Sequence, residues 1–255
     1  MSFSVDPLWL IALLLAFVRA AAWLVVVPPF SNRRVIPSIA LVAVAGGLAV
    51  LAAPHMDHHA LPTDTAGLIG AVVLQAFTGI VLGLPMLILF SAVGAAGGLI
   101  DQFGGINLPP SLDPLSENQT PIIGQLYEQV AMALLFISNG ELLVVRGFVA
   151  SFGAHGLTLT STARLANMFT GDLATFFVAS LEMAAPLIIV LFATQVALAL
   201  LAKAAPQMNV WMLGFPLQVL LSLVLVTVGV KVLPGYLANI VSRVLADMGA
   251  LVGAG

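Results

Sequence analysis

Between Asp64 and Asp101 the chain carries no formal charge, and residues 65–100 are dominated by Leu, Ile, Val, Ala, Gly, Phe and Met. As one helix this stretch would extend about 54 Å at ~1.5 Å per residue, whereas a bilayer core is about 30 Å thick. No water-facing side can be built from it, so it must lie in lipid or against other protein. The rest of the chain agrees: 61% of residues are hydrophobic and 7% are charged, against about 25% charged in a soluble domain. Pro85, with Gly79 and Gly83 before it, offers a kink or break. The stretch is therefore expected as a bent helix leaving the membrane or as two shorter pieces.

The same reasoning predicts an all-α membrane protein of one domain, residues 1–255. Apolar helices are expected at about 7–27, 36–53, 65–100, 122–145, 172–203 and 210–233, with a short C-terminal helix at 235–250. Asp6-Pro7 reads as an N-cap and first-turn proline. The start of the chain lacks the basic region of a secretory signal, so Leu8 onward is read as a retained helix. Residues 146–171 are mixed in character and read as a loop with a short amphipathic helix. Basic residues do not settle orientation. One topology puts Arg33, Arg34 and Lys203 on the cytoplasmic side, and its inverse puts Arg146, Arg164, Lys231 and Arg243 there. So even a count hints at helices that do not thread the bilayer conventionally.

Several chemistries are excluded. With 8 Lys+Arg and no basic run, the chain lacks the footprint of a nucleic-acid binder. There is no cysteine, which removes disulfides, thiolate metal sites and cysteine nucleophiles. His55, His58 and His59 with Asp57 sit in a short loop without helical spacing, and no HExxH is present. A solvated loop is the better reading there, and His155 beside Gly153 and Gly156 reads as a turn residue. No Walker A, GxGxxG or GxSxG pattern occurs. No catalytic residue, metal site or cofactor is assigned, and the chain is read as a non-enzyme.

Two residue classes stand out within the apolar segments. Gly79 with Gly83, and Gly94 with Gly98, form GxxxG pairs that let helix backbones approach closely, within the chain or against other subunits. Arg19, Glu128 and Glu182 are charges inside apolar segments, while Lys203 lies at a helix end where it can snorkel. Pairing with each other or across subunits is expected of the buried charges, with a lone proton-relay group as the alternative.

Residues 101–121 (DQFGGINLPPSLDPLSENQTP) hold four prolines, adjacent glycines, three acids and no base. Pro109-Pro110 and Asp113-Pro114 exclude a continuous helix, and Gly104-Gly105 supplies a hinge. Phe103, Ile106, Leu108 and Leu112 make the loop too apolar for a wet linker. Irregular backbone at membrane depth is tolerated where protein buries it or water lines it. These residues read as an apolar stopper over a pathway, or as a loop that only packs on a neighbouring subunit, with Asp101, Asp113 and Glu117 keeping the remainder wet or capped. A second singular stretch runs Pro206, Gln207, Met208, Asn209, Val210, Trp211, then Gly214, Phe215, Pro216. There a proline break carries amides able to satisfy freed backbone groups.

Taken in order, these features resemble the FliR family of the flagellar type III export gate, related to the SctT class of injectisome proteins. The matching residues span most of the chain. They are Arg19, Pro28, Phe30, Arg33 and Pro37; Asp101, Gln102, Gly104 and Leu112-Asp113-Pro114; Gln125-Leu126-Tyr127; Gly153-Ala154-His155; and PQMNVW with GFP at 206–216. Lys203 stands where an arginine is expected, and Gln218 where the family often carries a basic residue, which implies an altered surface or headgroup contact.

The resemblance implies kinked helical hairpins packed into a multi-subunit assembly with several FliP and FliQ subunits. This assembly sits in the bacterial inner membrane at the flagellar basal body, near the MS-ring and rod, with FlhB and FlhA as neighbours. Unfolded export substrates would pass through its centre, and a loop of this subunit would help plug the closed pore. Injectisome cargo is one alternative. A small-molecule secondary transporter coupled through Glu128 or Glu182 is another, although the repeated broken helices of transporters are not evident.

Overall fold

The computed structural model describes residues 7–28, 30–31, 37–56, 61–62, 64–105, 121–153, 162–207 and 210–252. Every regular element among them is helical. In chain order these are α1 (Pro7–Val26), α2 (Ser38–Ala52) with a 3-10 turn at Ala53–His55, α3 (Thr65–Gly104), α4 (Ile122–Ile137), α5 (Gly140–Ala150), α6 (Thr162–Ala204), α7 (Val210–Val230) and α8 (Leu233–Val252). Among the described residues, four helices are long and apolar enough to cross a membrane. The number rises to six if α4 with α5 and α7 with α8 each count as one broken span. The all-α membrane architecture expected from the sequence is the one observed.

Three boundaries are informative, each for a physical reason. First, α3 is a single helix through Pro85, one of the two forms expected for this stretch. Proline costs a helix one hydrogen bond, and within packed apolar helices that loss is tolerated. Second, the expected helix 122–145 is broken. Asn139 takes a left-handed φ of 54° between α4 and α5, in a Ser138-Asn139-Gly140 trio of turn-forming residues. Third, residues 162–171 belong to the start of α6, and residues 146–150 to the end of α5. The loop expected over 146–171 is thus shorter.

Local signals account for the helix starts. Asp64 Oδ2 accepts from Gly67 N at 2.9 Å, satisfying one of the four free N–H groups at the start of α3. Pro37 precedes α2 in extended conformation. Pro121 precedes α4 and brings no capping side chain of its own.

The chain's contacts group into two compact units. The first takes Met1–Ile88, Asn139–Asp172 and Ile240–Gly255; the second takes Leu89–Ser138 and Leu173–Asn239. Thus α3, α6 and α8 each contribute a segment to both. In the first unit Trp23 stacks on Phe148 at 4.4 Å, and Phe152 meets Phe148 edge-on at 5.3 Å. There α1 and α3 touch at backbone distance, because a Cβ on Gly79 would collide with the Arg19 carbonyl and come within 3.0 Å of Trp23 N. Gly83 lies equally close to Val26.

In the second unit Val93, Ala96, Ile100, Ile123, Tyr127, Leu135, Leu187 and Leu191 are buried. A Cβ on Gly97 would come within 2.7 Å of the Gly124 Cα, so only glycine lets α3 and α4 approach this closely. Gly94 and Gly98 flank that contact, the first beneath Glu128 and the second where a Cβ would lie 3.6 Å from the Pro121 ring. The GxxxG pairs therefore pack against helices of the same chain. Large apolar side chains such as Phe177, Ile189, Phe192 and Leu200 on α6 stay exposed, suited to lipid or to other protein.

Candidate functional site

The residues that enter and leave the proline-rich stretch form the most elaborate polar arrangement of the second unit. Asp101, in the last turn of α3, is fully buried. Its Oδ2 accepts from Ile123 N at 2.8 Å and from Gly124 N at 3.1 Å. These are first-turn amides of α4 that have no partner within their own helix. A carboxylate at that end also meets the positive pole of the helix. Asp101 therefore supplies the cap that Pro121 lacks, and ties the two ends of the 101–121 stretch together. It is a buried cap rather than a wet residue. Its Oδ1 has no hydrogen-bond partner among the described residues.

One turn further, α3 ends at Gly104, and Gly105 adopts a φ of 67°, the left-handed residue that terminates helices. The carbonyl of Phe103 accepts two side-chain amides, Gln195 Nε2 of α6 at 2.8 Å and Gln218 Nε2 of α7 at 3.1 Å. A carbonyl oxygen has two lone pairs, so both bonds form together. Ser222 Oγ faces Gln218 O at 2.8 Å and Gly104 O at 3.3 Å. Its single proton favours the shorter contact, leaving Gly104 weakly held. A Cβ on Gly105 would lie 3.1 Å from Gln218 Oε1, so the glycine is fixed both by its backbone angle and by the amide above it.

The sequence marked Phe103, Gly104 and Gly105, and Gln218 for another reason, but missed Gln195 and Ser222. Gln218 is no surface or headgroup contact, as its departure from a basic residue suggested. It is half-buried and bonded to the root of the loop. Ile106, Leu108, Leu112, Asp113 and Glu117 lie outside the described residues.

The intramembrane charges find varied surroundings. Arg19 is buried, with Nε donating to Gln75 Oε1 at 2.6 Å and Nη1 to Ser151 O at 3.1 Å. Its guanidinium carbon sits 4.2 Å from the Phe152 ring centroid. Ser151 closes the C-terminal end of α5, so the cation meets the negative pole of a helix. Glu128 lies over Gly94, and Glu182 Oε2 accepts from Tyr236 OH at 3.4 Å. Lys203 is exposed in the last turn of α6, where a cation suits the helix end. An ion pair that the sequence did not single out joins Arg243 Nε to Asp172 Oδ1 at 3.4 Å.

Of the PQMNVW stretch, Pro206 and Gln207 form a turn after α6, and Met208 and Asn209 lie outside the described residues. Gly214 allows Leu198 of α6 to approach within 3.1 Å of where a Cβ would sit, and Pro216 is inside α7. His55 Nδ1 is 3.1 Å from Leu51 O. His58, His59, Asp57 and His155 are outside the described residues, and no three ligating side chains cluster among the described ones.

Comparison with known proteins follows the same path. The profile of a family described as "Bacterial export proteins, family 1" matches residues 10–244. The chain is 29% identical to the flagellar biosynthetic protein FliR of Bacillus subtilis, over 93% of each chain. It is 28% identical to the FliR of Escherichia coli, over 86% of each. To the secretion system apparatus protein SsaT of Salmonella typhimurium it is 24% identical, over 84% of this chain and 85% of that one. With the match running almost end to end, the chain belongs to the bacterial export proteins, family 1, the FliR-type family to which its motifs point.

Proposed function

We propose that this chain is a non-enzymatic core subunit of the flagellar type III export gate. In this reading it assembles with FliP and FliQ in the bacterial inner membrane, with FlhA and FlhB nearby, around a passage for unfolded flagellar subunits. Family membership supports the export role. The FliR proteins of Bacillus subtilis and Escherichia coli also match at higher identity, 29% and 28%, than the injectisome relative SsaT at 24%.

The observation that carries the mechanism is the root of the 101–121 stretch. A breaker-rich, apolar segment leaves α3 through a left-handed glycine and returns to α4 at a proline, its two ends joined by the Asp101 carboxylate. Phe103, Ile106, Leu108 and Leu112 then act as a stopper that excludes water and ions between export events.

Deleting residues 106–112 leaves this root intact and removes most of the stopper. Assembly with FliP and FliQ is expected to persist on co-purification, while cells carrying the gate become leaky to small ions. A tight membrane with a fully assembled gate rejects the stopper. Isolation of the chain as a monomer or homodimer that moves a metabolite rejects the whole reading. Restoring swimming to a strain lacking its own FliR separates flagellar from injectisome cargo.

A further inference from the structure

The last turn of α3 is held in an unusual manner. Helix C-termini present free carbonyls and a negative pole, and a lysine or arginine is the strongest side-chain match to them. Here the two donors to the Phe103 carbonyl are neutral amides, from α6 and α7, at 92 and 115 positions along the chain. Neutral hydrogen bonds are individually modest and are readily exchanged for water, whereas charged ones hold about twice as strongly. The next carbonyl, at Gly104, gets only the longer contact of a hydroxyl already committed to Gln218 O. Beyond it the backbone passes through Gly105, whose left-handed φ requires no side chain to be displaced on rotation.

We infer that Gln195 and Gln218 are positioning residues that form a releasable hold on the last turn of α3, setting how readily the root at Phe103–Gly105 swings. This rests on the reading of the adjoining segment as a barrier, and adds to it the element that regulates its release. Both amides converge on one oxygen, so release requires both to let go, and their neutrality keeps the closed state only modestly favoured. A tighter hold slows export, and a looser one lets ions through.

The test uses the gate purified intact from membranes and the same variants in cells. Gln195→Met with Gln218→Met keeps length and removes both donors. Backbone hydrogen exchange over the last turn of α3 is expected to rise about thirtyfold, for two neutral bonds of roughly 1 kcal/mol each, and the membrane to become ion-leaky. Gln218→Lys keeps a donor and adds charge. Exchange is expected to fall about fivefold, the membrane to stay tight and export to slow, an effect that a purely structural glutamine would not produce. Unchanged exchange in the double variant of an assembled gate overturns the hold, whatever the conductance. Raised exchange with a tight membrane keeps the hold and rejects the barrier instead. If Gln218→Lys leaks like the double variant, the hold is also overturned.

Discussion

Arg19 in the first unit and Asp101 in the second are both charges buried in apolar helices, and both are answered by the end of another helix. Arg19 meets the C-terminal end of α5 through Ser151 O, and Asp101 meets the N-terminal amides of α4. Each thus sits at the pole of opposite sign. The resemblance ends there. Arg19 is gripped by a side-chain amide, a carbonyl and an aromatic face from α3, α5 and the residues after α5. Asp101 uses one oxygen for two amides and leaves the other without a partner among the described residues. The first arrangement builds a fixed joint; the second closes the neck of the 101–121 stretch, which we propose to move.

The strongest way to break this contrast is Arg19→Met. It leaves Gln75 Oε1 and the Ser151 carbonyl without their donor in a buried setting, and about 3 kcal/mol of stability is expected to be lost. The thermal midpoint of the purified protein in detergent and its abundance in membranes report this. Asp101→Asn keeps an acceptor for the α4 amides but drops the charge, so about 1 kcal/mol is expected. Equal losses for the two would erase the distinction between joint and neck. The smallest effect is assigned to Ser151→Ala. The Ser151 hydroxyl donates to Phe148 O at 2.6 Å and lies 3.4 Å from Arg19 Nη1, while its backbone carbonyl takes the shorter bond. Under about 0.5 kcal/mol is expected. A loss near that of Arg19→Met would move the anchor from backbone to side chain.

Much of this was legible in the chain because it depends on local composition. Long uncharged runs and the glycine pairs announce helices and close packing without reference to distant residues. The break at Asn139 is less visible, because apolar residues flank it on both sides and hydropathy averages across it. The early start of α6 is hidden for the opposite reason, since TARLANMFTG is too polar to read as a continuation of a membrane helix. Gln195 and Gln218 were beyond reach. Each lies in an otherwise ordinary apolar helix, and its meaning comes from a carbonyl about a hundred positions away. Arg19 was noticed, but its partners within the chain were not, because a helix pole leaves no mark of charge in the sequence.

The convergence of two amides on the Phe103 oxygen has a genetic consequence. When one atom receives two equivalent donors, loss of either leaves the other in place, and the defect stays below what a growth or motility screen detects. Replacing either glutamine alone by an apolar residue would pass unnoticed, and their importance as donors would surface only in a strain that carries the pair of changes.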